Sequence, residues 1–149
     1  MGKFRKLFTW IGIAAFCGTA MFVAYDYIVN EPKTALVQQQ LEKEFISITP
    51  PPGSTSSSFH KSHKPRQALV GSNYLTNQGY EDIRKYYDKE LKNKGWQFKD
   101  ETGIRDWGRD LGGKVTNYSK GEYTASIQYA GDPKGYGWVY ALDLTWGLH

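Results

Sequence analysis

Nineteen consecutive residues, Leu7 to Tyr25, carry no charge, and the basic cluster Lys3-Arg5-Lys6 stands just before them. A hydrocarbon core about 30 Å thick is crossed by roughly 20 helical residues at about 1.5 Å each. The run is long enough to span, and Val29 extends it if Asp26 reaches the interface. Trp10 near one end and Tyr25 and Tyr27 near the other suit interfacial positions. The basic flank is expected to stay in the cytoplasm and to send the rest of the chain outward. This predicts a single-pass protein of the inner (cytoplasmic) membrane with an extracytoplasmic C-terminal domain. Gly18-Thr19-Ala20 offers signal peptidase a small-residue site, and Ala14-Ala15-Phe16-Cys17 looks faintly like a lipobox with a poorly fitting Phe16. The apolar run continues through Met21-Phe22-Val23-Ala24, where a cleaved signal would turn polar. An uncleaved anchor over residues 7–29, behind a cytoplasmic tail of residues 1–6, is therefore the expectation.

Pro32 is expected to open a second helix, where its missing N–H costs nothing. Leu36/Val37, Leu41, Phe45 and Ile48 then form an apolar stripe, which makes residues 30–48 an amphipathic stalk helix that continues the anchor, self-associates or docks on the downstream domain. Residues 49–66 hold three successive prolines and a serine run, and read as a linker. His60 and His63 lie in it. Their three-residue spacing would join them only on a helix, and no cysteine or nearby acid completes a metal site. Lys61, Lys64 and Arg66 could touch anionic lipid or cell-wall polymer, or simply keep the linker soluble.

Residues 67–149 read as one α+β domain. Gln67–Val70 and Asn73–Thr76 suggest a strand interrupted or bulged at Gly71. Tyr80, Ile83, Tyr87 and Leu91 recur at helical spacing, with Glu81 and Asp82 in the first turn and Gly95 as the terminating residue. Glu81–Lys85, Asp88–Lys92 and Glu90–Lys94 are acid-to-base pairs four apart. Trp96-Gln97-Phe98 starts a strand, while residues 100–113 are ambiguous. Tyr123–Tyr129 and Trp138–Trp146 alternate cleanly, with a tight turn at Lys120-Gly121 and a longer one at residues 131–135. The expected architecture is an N-terminal transmembrane helix, then one helix packed on an antiparallel sheet of four or five strands.

Pro50-Pro51-Pro52-Gly53, Tyr74-Leu75-Thr76 and the stretch Tyr80-x-x-Ile83-x-x-Tyr86-Tyr87-x-x-x-Leu91-x-x-x-Gly95-Trp96 resemble a group of small bacterial proteins. These are membrane-anchored or lipoprotein-like extracytoplasmic domains of unassigned function, with a Tyr-Tyr helix ending in Gly-Trp. The resemblance covers roughly residues 45–100 and implies an extracytoplasmic bacterial domain without bringing an activity or a site residue. The motif also has a packing explanation, with the tyrosines and Leu91 on the sheet and Gly95 ending the helix.

The formal charge is +4, of which residues 31–149 hold only half, so no clustered excess points to nucleic acid. The single cysteine, Cys17, excludes an internal disulfide and a Cys-based zinc site. No nucleophile elbow, phosphate loop or zincin motif occurs, and no cofactor is implied. Asp106, Asp110 and Asp143 are the candidate carboxylates. Asp143 is the most interesting, since it points away from the apolar face of its strand, where charged residues ordinarily meet solvent. Trp107, Tyr118, Tyr136 and Trp138 lie in or beside loops and either plug the core edge or form a surface. Trp107, Tyr136 and Trp138 are the candidate binding residues. The expected role is a non-catalytic, membrane-tethered interaction module, such as an envelope-complex accessory subunit or a toxin inhibitor. Its partners would be the membrane and a protein in or near the envelope. The alternative is a ligand-binding domain for cell-wall sugar or peptide.

Overall fold

The computed structural model describes residues 2–106, 109–130 and 137–147, with side chains from Gly12 onward apart from Ala14 and residues 105–111. Among the described residues the chain is α+β, with two helices and a six-stranded antiparallel sheet. Helix α1 spans Gly2–Ser47 and α2 spans Tyr80–Asn93. The strands are β1 (Thr55–Lys64), β2 (Gln67–Leu75), β3 (Gln97–Asp106), β4 (Arg109–Lys120), β5 (Tyr123–Tyr129) and β6 (Tyr140–Trp146). Their order is β1-β2-β6-β5-β4-β3.

Both helices pack on one face of this sheet. Directly opposed residues share a face, so Val70, Leu144 and Ala125 form one inward row, and Ser72, Leu142, Ile127 and Thr116 form the next. Against these rows α2 sets Ile83, Tyr87 and Leu91, α1 sets Leu41 and Phe45, and Ile48 follows just after α1, all buried. The α2 stripe is the one the spacing predicts. Its end is a Schellman cap: Gly95 at φ 84° lets its N–H reach the Lys92 carbonyl, while Trp96 N–H reaches Leu91. Two of the expected four-apart pairs form, Lys92–Asp88 and Lys94–Glu90.

Three expectations need correction. The segments expected as anchor and stalk form one helix, and Pro32 lies inside it rather than at its start. An interior proline forfeits a backbone bond and costs about 3 kcal/mol. Side chains bind the turns around it: Asn30 Nδ2 donates to Asp26 Oδ1 at 2.7 Å, and Thr34 Oγ1 donates to the Asn30 carbonyl at 2.8 Å. The downstream stripe is buried on the sheet, which holds the helix beyond the break.

Residues 55–64, read as linker, are strand β1, so the sheet has six strands rather than four or five. Serine-rich sequence lacks apolar alternation, but an edge strand needs only a partner for its backbone. β2 supplies that partner from Thr55↔Leu75 to Lys64↔Gln67. The prolines before it make a turn, with Ser54 N–H on the Pro51 carbonyl and Gly53 at φ 80°. Gly71, finally, neither interrupts nor bulges β2, whose register runs through it unbroken.

Among the described residues no helix is long and apolar enough to cross a membrane. Side chains are described from Gly12, whereas the uncharged run begins at Leu7. Within the described part of the run, Phe16, Met21, Phe22 and Val23 are all exposed.

Candidate functional site

The uncovered face of the sheet carries a polar row that crosses all six strands. Register places His60 (β1), Gly71 (β2), Asp143 (β6), Ser126 (β5), Asn117 (β4) and Asp100 (β3) side by side. His60 Nε2 lies 2.9 Å from Asp143 Oδ1, although β2 runs between their strands. Gly71 makes this possible: a Cβ there would stand 1.9 Å from Asp143 Oδ1 and 2.8 Å from His60 Nε2. At the other end Ser126 donates to Asn117 Oδ1 at 2.7 Å, and Asn117 Nδ2 donates to Asp100 Oδ1 at 2.6 Å. Burial raises the pKa of Asp143, opposed by the hydrogen bond and charge of His60.

This arrangement pairs an acid with an imidazole. The Ser126 hydroxyl is committed to Asn117, and Asp143 stands between it and His60. The pair links edge strand β1 to β6 across β2. Asp106 and Asp110 have side chains outside the described residues, so Asp143 alone of the candidate carboxylates can be placed.

His60 and His63 lie on opposite faces, because three residues along a strand reverse the side chain. His63 faces α1, with Nε2 3.0 Å from Glu31 Oε1 and Nδ1 2.9 Å from Gln38 Oε1. Among the described residues no three His, Cys, Asp or Glu side chains gather as a metal site would require.

Of the candidate binding residues, Trp107 and Tyr136 lie outside the described residues, and Trp138 is half-buried just before β6. Tyr118 belongs to the core: it is fully buried, and its hydroxyl donates to Asp88 Oδ1 at 3.3 Å. Burial, then the Asp88 charge, raises its pKa. Tyr74, Tyr87 and Tyr140 are buried as well. Tyr74 stacks on Tyr140 at 4.8 Å, and the Tyr87 hydroxyl donates to that of Tyr140, whose pKa burial pushes up to about 12.

Sequence reading passed over one concavity, a groove of about 450 Å³ beside the β4–β5 turn. Lys99, Ser119, Thr124 and Trp146 line it, and the Trp146 indole N–H donates to Glu122 Oε2 at 3.1 Å. Trp146 had registered only as the last member of an alternating strand. No signal in the sequence joins it to Lys99, which is brought near by sheet order.

Comparison with known proteins finds no matching family model, curated protein or solved structure.

Proposed function

We propose that the chain is a non-catalytic interaction module held by α1 at the outer face of the cytoplasmic membrane, as an envelope-complex accessory subunit or an inhibitor. The observation that carries this reading is the division of labour within one unbroken helix. The part up to Ile28 exposes Phe16, Met21, Phe22, Val23 and Ile28, while the part from Thr34 onward buries Thr34, Leu41 and Phe45 against the domain. An apolar surface of that length on every side of a helix needs a cover, and lipid is the cover that matches the basic flank and the tyrosines at its ends. Anchor and domain then form one rigid piece, which fixes the height and orientation of the sheet above the bilayer. Such tethering raises the effective concentration of the domain toward partners in the same membrane. The uncovered polar sheet face, with its side chains satisfied by one another, suits recognition better than chemistry.

Carbonate extraction of membranes, with a reporter fused at the C-terminus, tests the anchor. A carbonate-resistant chain whose reporter works only outside the cytoplasm is the expected result, and a chain that washes out sinks the reading. Affinity purification of the full chain in mild detergent, beside residues 31–149, tests the role. A stoichiometric partner on both assigns recognition to the outer domain, whereas a partner lost with the anchor assigns it to a membrane complex.

The groove at Trp146 favours a second reading, a small ligand such as a cell-wall sugar stacked on the indole. Tryptophan fluorescence that changes on titration with muropeptides, and loses that change in Trp146→Phe, is the outcome this reading requires.

A further inference from the structure

The geometry points to the tip of the β1–β2 hairpin, Lys64-Pro65-Arg66, as a binding site for the headgroups of anionic phospholipids, completed by Lys33 of α1. This inference rests on the reading of α1 as the membrane anchor.

The sheet does not meet α1 at one level. The β4–β5 turn reaches it at Glu44, through Lys120. The hairpin tip reaches it at Asp26, where Arg66 Nη2 is 2.6 Å from Asp26 Oδ1. Eighteen helical residues separate the two contacts, about 27 Å along the axis. The hairpin therefore descends beside α1 toward the end of the uncharged run, and Asp26 is the first charge after that run. A headgroup layer occupies roughly 5–8 Å beyond the hydrocarbon on each side. The Arg66 guanidinium at Asp26 stands within that layer.

The tip is held there from three directions. Arg66 N–H donates to Thr34 Oγ1 at 3.0 Å, and its guanidinium pairs with Asp26. Gly147 closes the third side so tightly that a Cβ on it would stand 1.9 Å from the Arg66 carbonyl. Arg66 itself sits at φ 68°, a conformation disfavoured for a residue with a Cβ. Pro65 before it fixes the first position of the turn. Lys64 is exposed on this tip, and Lys33 is exposed seven residues above Asp26, about 20° from it around the helix. No described acid pairs with either lysine, whereas Glu31 is taken by His63 and Asp26 by Arg66. The long lysine stems can lower their ammonium groups to phosphate level. The exposed rings of Tyr25 and Tyr27 mark the same depth.

The test is native mass spectrometry of the full chain from micelles holding equal phosphatidylglycerol and phosphatidylcholine. The parent chain is expected to retain phosphatidylglycerol in excess. Each of Lys33→Gln and Lys64→Gln lowers that excess about fivefold, the worth of one surface cation near an anionic bilayer. Lys43→Gln, an exposed lysine about 15 Å higher on α1, leaves it unchanged. Equal retention of the two lipids by the parent chain overturns the inference. So does an excess that survives in the double variant, as it would if Lys3, Arg5 and Lys6 were its source. Carbonate extraction of the same chains separates the two failures. A chain that leaves the membrane defeats the anchor, while a chain that stays without lipid preference defeats only the headgroup site.

Discussion

Asp143, partly buried, and Glu101, exposed, are both carboxylates on the sheet, yet they link folding to pH with opposite signs. Burial holds Asp143 above its ordinary 3.8 despite His60. A raised pKa means that its contribution to stability is full below the unfolded value and is lost as pH rises through the folded one. Asp143→Asn is therefore expected to stabilise the protein near pH 7 and to change little near pH 3, read as urea midpoints at the two pH values. Glu101 also feels burial, but hydrogen bonds from Arg84 and Tyr80 outweigh it and hold its pKa below 4.5. Its contribution is present above that value and disappears as pH falls through the folded pKa, so Glu101→Gln should destabilise near neutrality and be silent in acid. Gly71→Ala belongs to the same neighbourhood. The new methyl group separates His60 from Asp143 and also meets the Leu142 carbonyl at 2.9 Å, with an expected cost of about 1–3 kcal/mol in chemical denaturation. Sequence singled out Asp143 and noticed Gly71, but it explained neither. The glycine is there because two side chains from flanking strands meet above it, and strand order is invisible in a linear pattern.

Helix α1 and strand β1 are the elements whose roles local signals misstate. Pro32 carries every mark of a helix start, and only the burial of Leu41, Phe45 and Ile48 on the sheet keeps the helix running past it. Glu44 is the polar counterpart of that docking. Its Oε1 accepts from the Trp96 indole N–H at 3.2 Å and from Lys120, joining α1 to the segment between α2 and β3 and to the end of β4. Glu44→Ala leaves a buried indole N–H without an acceptor and is expected to cost about 1–3 kcal/mol, while Glu44→Gln keeps an acceptor and costs less. Leu41→Ala should cost about 2–5 kcal/mol, because its site is fully enclosed. Equilibrium urea unfolding measures all three. In β1 the serines give no apolar alternation, so period-two reading finds nothing. Its stability comes from β2 on one side and from Phe59, Lys61 and His63 against α1, where Phe45, Glu42, and Glu31 with Gln38 receive them. By contrast α2 was legible to the residue, since its stripe, its end charges and its glycine cap are all encoded within sixteen positions.

At the scale of the molecule the buried core draws on Leu41, Phe45 and Ile48 as well as on residues beyond 67. Residues 31–149 keep the core stripe of α1, the hairpin and the sheet, and are expected to give a soluble species that unfolds cooperatively on heating. Residues 49–149 lose Leu41, Phe45 and Ile48 and uncover the inner face of the sheet. That fragment is expected to aggregate or to melt without a transition, and a cooperative melt would show the α1 docking to be dispensable. The features legible in the chain alone are those whose physics acts within a few turns: the uncharged run and its basic flank, the amphipathic α2 with its cap, and the alternation of β5 and β6. Long-range packing settled the rest. It continued α1 through a proline, recruited a serine-rich segment as an edge strand, carried two histidines to opposite faces, and laid one polar row across six strands. Each of those outcomes depends on which segments become neighbours, and backbone pairing and burial reward that choice without leaving a local periodicity to read.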